Sequence, residues 1–250
     1  SITLPPMAQL ALVALELIAR ALELGASGVA DSIVASCTTA LVYVATLIRM
    51  RLLFNYDAFY RVAFLLLGLG SRVKYRAPLF VAGRAPLRKL SRDLDELAHI
   101  GIEERGEWVL VHHEGDVSTL DMGTYPGLRF PMYAQAAGKA ILAHLSEGSV
   151  ADIIDARGLE PVTDQTITDV TALEQELERV RDAGYALDSE QLVAGIAIAA
   201  APVLVEGAPV GSISIACPAG RLRDDDYVAA VTQRLTEAAD EISINIRYSM

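Results

Sequence analysis

The residue types that do chemistry are thinly spread in this chain. It has four histidines, His99, His112, His113 and His144, and two cysteines, Cys37 and Cys217. Adjacent His112 and His113 on a strand point to opposite faces, so the pair cannot by itself hold a metal ion. His113-Glu114 lacks the second histidine, one helical turn on, that a zinc hydrolase helix needs. Two distant cysteines make neither a disulfide framework nor a multi-cysteine zinc site. Gly138-Lys139 has no phosphate-cradling glycine five residues earlier, and no Gly-x-Ser-x-Gly elbow occurs. Gly68-Leu69-Gly70 offers two glycines of a dinucleotide loop, but the third is absent, so these glycines read as a helix end. Asp224, Asp225 and Asp226 sit where a helix begins and suit the positive end of its dipole, which makes them a solvated cap. Carboxylates abound without any pairing legible in sequence, and general acid–base work needs such pairing. No enzyme and no cofactor is expected.

The elements that must position any site follow from the punctuation of the chain. Pro5 and Pro6 fit a helix start, and Leu10, Val13, Leu17, Ala21 and Leu24 follow a helical period up to Gly25. Two further short helices are expected, over 29–35 and 39–50. Leu52–Phe54 and Phe59–Val62 read as short strands around Asn55, Tyr56 and Asp57. Three short helices and a small hairpin make a winged helix-turn-helix. A helix over 62–72 and a longer one over 79–98 follow, with Pro86 marking a kink or the true start of the latter. Beyond it, strands are expected over 108–113, 117–122, 185–188, 196–205 and 210–216. Glu206, Gly207 and Ala208 turn the last hairpin. Helices are expected over 135–145, 150–156, 170–182 and 224–246. Hairpins with helices between them give an α+β sheet domain.

The chain has 250 residues, 52% of them apolar, and a formal charge of -11. The apolar content excludes wholesale disorder. The longest charge-free stretch of the first half, 32–48, has 17 residues. It falls short of the roughly 20 mostly apolar residues a membrane span needs. The start has no basic region before its apolar run, so a signal peptide is not expected, and the sparse cysteine suits a cytoplasmic location. The charge is unevenly placed. Residues 1–90 hold 10 Lys and Arg against 4 Asp and Glu, whereas residues 91–250 hold 11 against 28. A basic module joined to a larger acidic one can face nucleic acid with its first half.

The segments PMYAQAAGKAILAHL (131–145), GLEPVTDQTITDVTALEQELERVRDAGYALDSE (158–190), GIAIAAAPVL (195–204) and GSISIACPAGRL (211–222) resemble, in order and spacing, the effector-binding domain of the IclR family of transcriptional regulators. YRVAFLLLGLGSR (60–72) and TTALVYVATLIRMRLL (38–53) are similar, more weakly, to the family's post-wing stretch and recognition helix. The resemblance implies a winged helix-turn-helix over 1–76, then a linker helix and a GAF-like α/β effector-binding domain over 77–250. It implies a homodimer or homotetramer that binds operator double-stranded DNA and a small organic effector, a carboxylate or an aromatic compound, with no membrane partner.

Carried over by position, the effector site would comprise Met122, the small turn Ala136 and Ala137, Asp188, Ile198, Ser214 and Ala216. Backbone N–H groups at the helix start after Gln135 would suit an anion. Ile198 stands where the family commonly has cysteine, and Ala216 where it often has serine, which makes this pocket more apolar. On the DNA side the candidates are Thr38, Thr39, Tyr43, Arg49, Arg51 and Arg61. Val42 and Cys37 stand where arginine and lysine are common, and the helix they share is apolar almost all round, as buried helices are. The alternative is an effector-sensing or protein-interaction module whose degenerate helix-turn-helix no longer binds DNA.

Overall fold

A computed structural model describes residues 56–115 and 123–249. Thr38, Thr39, Tyr43, Arg49, Arg51 and Met122 lie outside the described residues, as do the helices expected before residue 51 and the strands over 52–54 and 117–122. The chain divides into two compact units, Ser1–Tyr75 and Arg76–Met250.

In the first unit the described element is helix α1, Tyr56–Arg76. It contains Arg61. It also corrects two expectations. Phe59–Val62 is helical rather than a strand, and Gly68 and Gly70 lie inside the helix rather than at its end. Aromatic and branched residues favour strands only where a sheet is there to receive them. Here no proline interrupts the run before Pro78.

The second unit opens with helix α2, Pro78–Leu94. Pro78 takes the first turn, where its missing N–H costs nothing. Pro86 lies inside the helix, so it marks neither start nor end. The helix stops at Asp95, which adopts the left-handed conformation (φ 54°) and sends its N–H to Ser91 O. Ser91 Oγ then donates to Glu96 O at 2.7 Å, locking the exit. The residues read as a helix continuing to Ala98 therefore start a strand instead.

That strand, β1 (Leu97–Glu104), is one of six. The others are β2 (Glu107–Glu114), β3 (Arg129–Pro131), β4 (Ala186–Ser189), β5 (Ile196–Val205) and β6 (Ala208–Pro218). They pair in the order β3-β2-β1-β6-β5-β4, and every pairing is antiparallel. The β5–β6 hairpin turns on Glu206 and Gly207, both at positive φ, as a two-residue turn between twisted strands requires.

Helix α3 (Ala136–Leu142) follows a short 3-10 turn, Met132–Ala134. Helices α4 (Glu147–Arg157) and α5 (Val170–Ala183) come next, and α6 (Asp225–Ser249) closes the chain. Asp169 caps α5 by accepting from Ala172 N at 2.8 Å. Asp224 caps α6 in the same way, accepting from the N–H groups of Asp226 and Tyr227, which is the capping role its acidic run suggested.

Strand alternation divides the interior into two cores. Ala98, Ile100, Ala199, Ala201, Val203, Ile213 and Ile215 meet Leu87 of α2 and Leu235 and Ile242 of α6. On the other face Trp108, Leu110, Ile198, Ala200 and Ala216 meet α3 and Leu173, Leu177 and Val180 of α5. Each large apolar side chain buried this way contributes about 1.5–3 kcal/mol. Gly138 lets α3 sit down, because a Cβ there would lie 2.2 Å from Met132 O. Among the described residues no helix is long and apolar enough to cross a membrane.

Candidate functional site

The α3 side of the sheet carries Asp188, His99, Ser212 and Ser214, all buried. Asp188 on β4 lies opposite Ile198 on β5, which lies opposite Ala216 on β6. The next row runs from Ala186 through Ala200 and Ser214 to His99 on β1 and His113 on β2. Side chains two residues apart on a strand share a face, so Asp188, Ile198, Ser214, Ala216 and His99 all point to the α3 side.

Asp188 is the centre of this arrangement. It is buried, and its Oδ2 accepts from the Ala136 N–H at 2.6 Å. Its Oδ1 is also buried and has no hydrogen-bond partner among the described residues. Burial pushes its carboxyl up to about 6, against the pull of the Lys139 charge and of backbone N–H donors. Ala136 is the first residue of α3 and Ala137 the second, both fully buried. The Ala136 N–H, expected to await a ligand anion, is therefore engaged by the chain's own carboxylate.

Lys139, one turn further along α3, is completely buried. Its Nζ lies 3.2 Å from Glu176 Oε1 on α5 and donates to Gln191 Oε1 at 2.9 Å. Burial alone would raise the Glu176 carboxyl, but the Lys139 charge and the Arg179 bond overcome it and hold the group below its ordinary range. Gln191 is presented by a pinned loop, since Thr166 Oγ1 donates to its carbonyl at 2.7 Å and Thr163 Oγ1 to the Glu190 carbonyl at 2.7 Å. The buried cation is thereby held close enough to act on Asp188.

Ser214 is buried. Two residues away, Ser212 Oγ accepts from Trp108 Nε1 at 2.9 Å, and the indole lies over Gly101. Ile198 and Ala216 are buried apolar floor. The structure thus brings Ala136, Ala137, Asp188, Ile198, Ser214 and Ala216 onto one side of one sheet. Three polar residues there escaped the sequence reading: His99, Gln135 and Lys139. His99 Nε2 and Gln135 Nε2 are buried without partners. The signal for His99 was its place between Ala98 and Ile100, legible once 97–104 is recognised as a strand.

His112 stacks edge-on against Phe80 of α2 with ring centroids 5.1 Å apart, and its ring lies 6.3 Å from that of His113, which pairs with His99 across β1 and β2. Among the described residues no group of three or more His, Cys, Asp or Glu is placed to hold a metal ion.

Comparison with known proteins gives this arrangement a context. Residues 73–244 match the family model described as bacterial transcriptional regulator IclR C-terminal. The HTH-type transcriptional regulator BhcR of Paracoccus denitrificans is 33% identical over 179 residues, 71% of this chain. The chain spans only 63% of BhcR's own length. The C-terminal domain of the Escherichia coli transcriptional regulator KdgR superposes with a TM-score of 0.62 at 29% identity, covering 68% of this chain and 98% of that domain. A double mutant of the inducer-binding domain of the Acinetobacter transcription factor PobR, solved with 3-hydroxybenzoic acid, superposes with a TM-score of 0.60 at 25% identity. That likeness covers 67% of this chain and 98% of the PobR domain. With the family model covering more than half of its residues, and its six-stranded sheet packed between helices, this chain belongs to the IclR family of bacterial transcriptional regulators.

Proposed function

We propose that this chain is a ligand-responsive transcriptional regulator that binds operator DNA with its N-terminal half and a small organic acid on the α3 side of its C-terminal half. Asp188 carries the reading. A buried carboxylate whose Oδ2 is fixed by a helix-start N–H and whose Oδ1 lacks a partner is an incomplete site. Buried polar groups left unpaired cost roughly 1–3 kcal/mol, which a complementary ligand recovers. With its carboxyl pushed up to about 6, Asp188 donates from Oδ1 to an acid's carboxylate when protonated and accepts from a hydroxyl when ionised. Ile198 and Ala216 give the site an apolar floor, and Met122 is carried over as an effector residue by family likeness alone. The PobR domain's aromatic acid supports a carboxylate or aromatic effector here.

The effector acts by binding two arrangements of the protein unequally and shifting the balance between them. In this reading residues 1–76 form the winged helix-turn-helix and 77–250 the linker and sensor, assembled as a homodimer or homotetramer in the cytoplasm. Thr38, Thr39 and Tyr43 meet the operator, while Arg49, Arg51 and Arg61 contact phosphates, the main source of salt-dependent affinity. The apolar sequence of 38–53 favours the rival reading, a sensor whose helix-turn-helix has lost DNA.

A mobility-shift assay on the chromosomal region upstream of its gene, at about 50 mM salt, separates the two. Binding that weakens steeply with salt, and weakens further in Arg49→Ala, supports the regulator. Folded, oligomeric protein that shifts no DNA at low salt leaves only the sensor.

A further inference from the structure

A second buried carboxylate, Glu96, lies at the exit of α2. Its Oε1 accepts from Tyr227 Oη at 3.0 Å and from Arg221 Nη1, and the guanidinium lies over the Tyr227 ring, 5.5 Å from its centroid. Its carbonyl accepts from Ser91 Oγ of α2 at 2.7 Å. One residue thus joins α2, the 3-10 turn Ala219–Arg223 that follows β6, and the first turn of α6. Burial raises the Glu96 carboxyl against the pull of Tyr227 and Arg221, so its charge depends on these two donors. A buried ion pair seldom adds stability over apolar packing, so its presence at this joint calls for another role.

The same 3-10 turn is tied to the effector side. Ala219 N donates to Gly195 O at 2.9 Å. Gly195 N donates to Glu190 Oε2 at 2.8 Å, and Glu190 N to Ile196 O at 2.8 Å, which closes the loop between β4 and β5. That loop begins two residues after Asp188 and carries Gln191, the acceptor of Lys139 Nζ at 2.9 Å. Hydrogen bonds and short covalent segments therefore run without a break from the Asp188 end of β4, through Gly195, Ala219 and Arg221, to the end of α2. Helix α2 is the first element of the second unit and leads back along the chain to the N-terminal half.

We propose that Glu96 is the switch point of the regulator, where Arg221 passes the state of the effector site, received through the β4–β5 loop and the 3-10 turn, to the end of α2. The inference rests on the effector reading of Asp188 and adds to it a route. An acid that engages Asp188 favours one arrangement of the loop over another, and the Gly195–Ala219 bond hands that preference to Arg221. With Arg221 in place the Glu96 charge is compensated and the end of α2 is held to the turn. With Arg221 withdrawn the charge is buried on Tyr227 alone, which is unfavourable, so the tie is made or broken rather than graded.

A neighbouring pair supplies the contrast. Arg234 of α6 lies 3.6 Å from Asp93 Oδ2, on the same last turn of α2, and donates to Asp93 O at 3.3 Å. These side chains are 44% and 43% exposed, so solvent screens the pair, and it joins α2 to α6 without the 3-10 turn.

The test is hydrogen exchange of the full chain across residues 91–97, read by mass spectrometry with and without saturating acid. The acid is whichever of benzoate, 3-hydroxybenzoate and glycolate binds most tightly in calorimetric titration. In the wild type it should change exchange there by about fivefold or more, the lower end of ordinary allosteric coupling. Glu96→Gln, which keeps an acceptor for Tyr227, and Arg221→Met should bind the acid within about threefold of wild type yet reduce that change to less than about twofold. Arg234→Met should keep the wild-type response. A merely structural tie would alter exchange in the acid-free protein and leave its response to acid intact. The route is wrong, while the effector site stands, if the acid binds wild type without moving exchange at 91–97. Wild-type responses from the Glu96 and Arg221 variants, or an equal loss in Arg234→Met, overturn it as well. If none of these acids binds the folded wild-type protein, the effector reading and the inference built on it fall together.

Discussion

The two faces of the central sheet are made by the same strands and do opposite things. On the α6 side β5 and β6 present Ala199, Ala201, Val203, Ile213 and Ile215, and α6 answers with Leu235 and Ile242. On the α3 side the alternate residues of those strands include Ser212 and Ser214, joined by Asp188 from β4, His99 from β1 and Lys139 from α3. One face is mostly apolar, its buried carboxyl Glu96 paired with Arg221 and Tyr227; the other buries Asp188 and the Lys139 cation with unmatched polar atoms on Asp188, His99 and Gln135. A period of two residues is enough to separate them. The lesson is a division of labour, in which the dry face supplies stability and the polar face spends some of it on recognition.

Breaking the polar face's ion pair should have the largest effect. Lys139→Met strands Gln191 Oε1 and leaves half-buried Glu176 with only Arg179 as counter-charge, and should cost about 3 kcal/mol in urea unfolding. Adding Glu176→Gln should restore part of that loss, because the weakly compensated charge is then gone. On the dry face Ile213→Ala should cost about 3 kcal/mol. Its mark is different, since acid binding by the folded protein should change by no more than about twofold; a larger change would mean that the faces are coupled and the division is wrong.

Next in size is a pH effect confined to the polar face. Between about pH 4 and pH 6 the folded protein keeps a proton on Asp188 that the unfolded chain has lost. Raising the pH through that window destabilises the folded state by up to about 3 kcal/mol, and the cost persists above it. Asp188→Asn cannot titrate, so its stability relative to wild type should climb from pH 4 to pH 6 and then level off. A flat difference across that window would place Asp188 in a wetter setting than this one.

The smallest contrast is the sharpest. Ser212→Ala strands the Trp108 N–H and should cost about 1–2 kcal/mol. Ser214→Ala, two residues away on the same face, strands no such indole and should leave the unfolding midpoint nearly unchanged. Its effect should appear in acid binding instead. Equal losses of stability would show that Ser214 is held by the protein rather than waiting for a ligand.

Much of the second unit was legible in the sequence. The helix start at Asp169, the Gly184 stop and the hairpin at Glu206-Gly207 rest on local chemistry that neighbouring residues complete, whereas the helix read over 150–156 begins earlier, at the Ser146 cap. Strand β1 was not legible, because Leu97 and Ala98 continue the helical spacing of α2, and only the left-handed turn at Asp95 ends it. That miss hid His99. Lys139 was weighed only as part of a phosphate loop, since its partners Glu176 and Gln191 lie 37 and 52 residues away in sequence. In α1 the strand-forming character of Phe59–Val62 misled, because no neighbouring strand pairs with it among the described residues. Asp188 and Ser214 came from family likeness; the missing partner of Asp188 Oδ1 came only from the fold.

The most direct test joins the polar face to DNA. Operator binding by the full chain should be followed by mobility shift at fixed salt while hydroxybenzoates are titrated in, with wild type, Asp188→Asn and Ile213→Val side by side. The expected result is an acid-dependent change in the operator affinity of wild type and Ile213→Val, and none in Asp188→Asn. Equal responses from all three proteins would contradict the assignment of the effector to the Asp188 face.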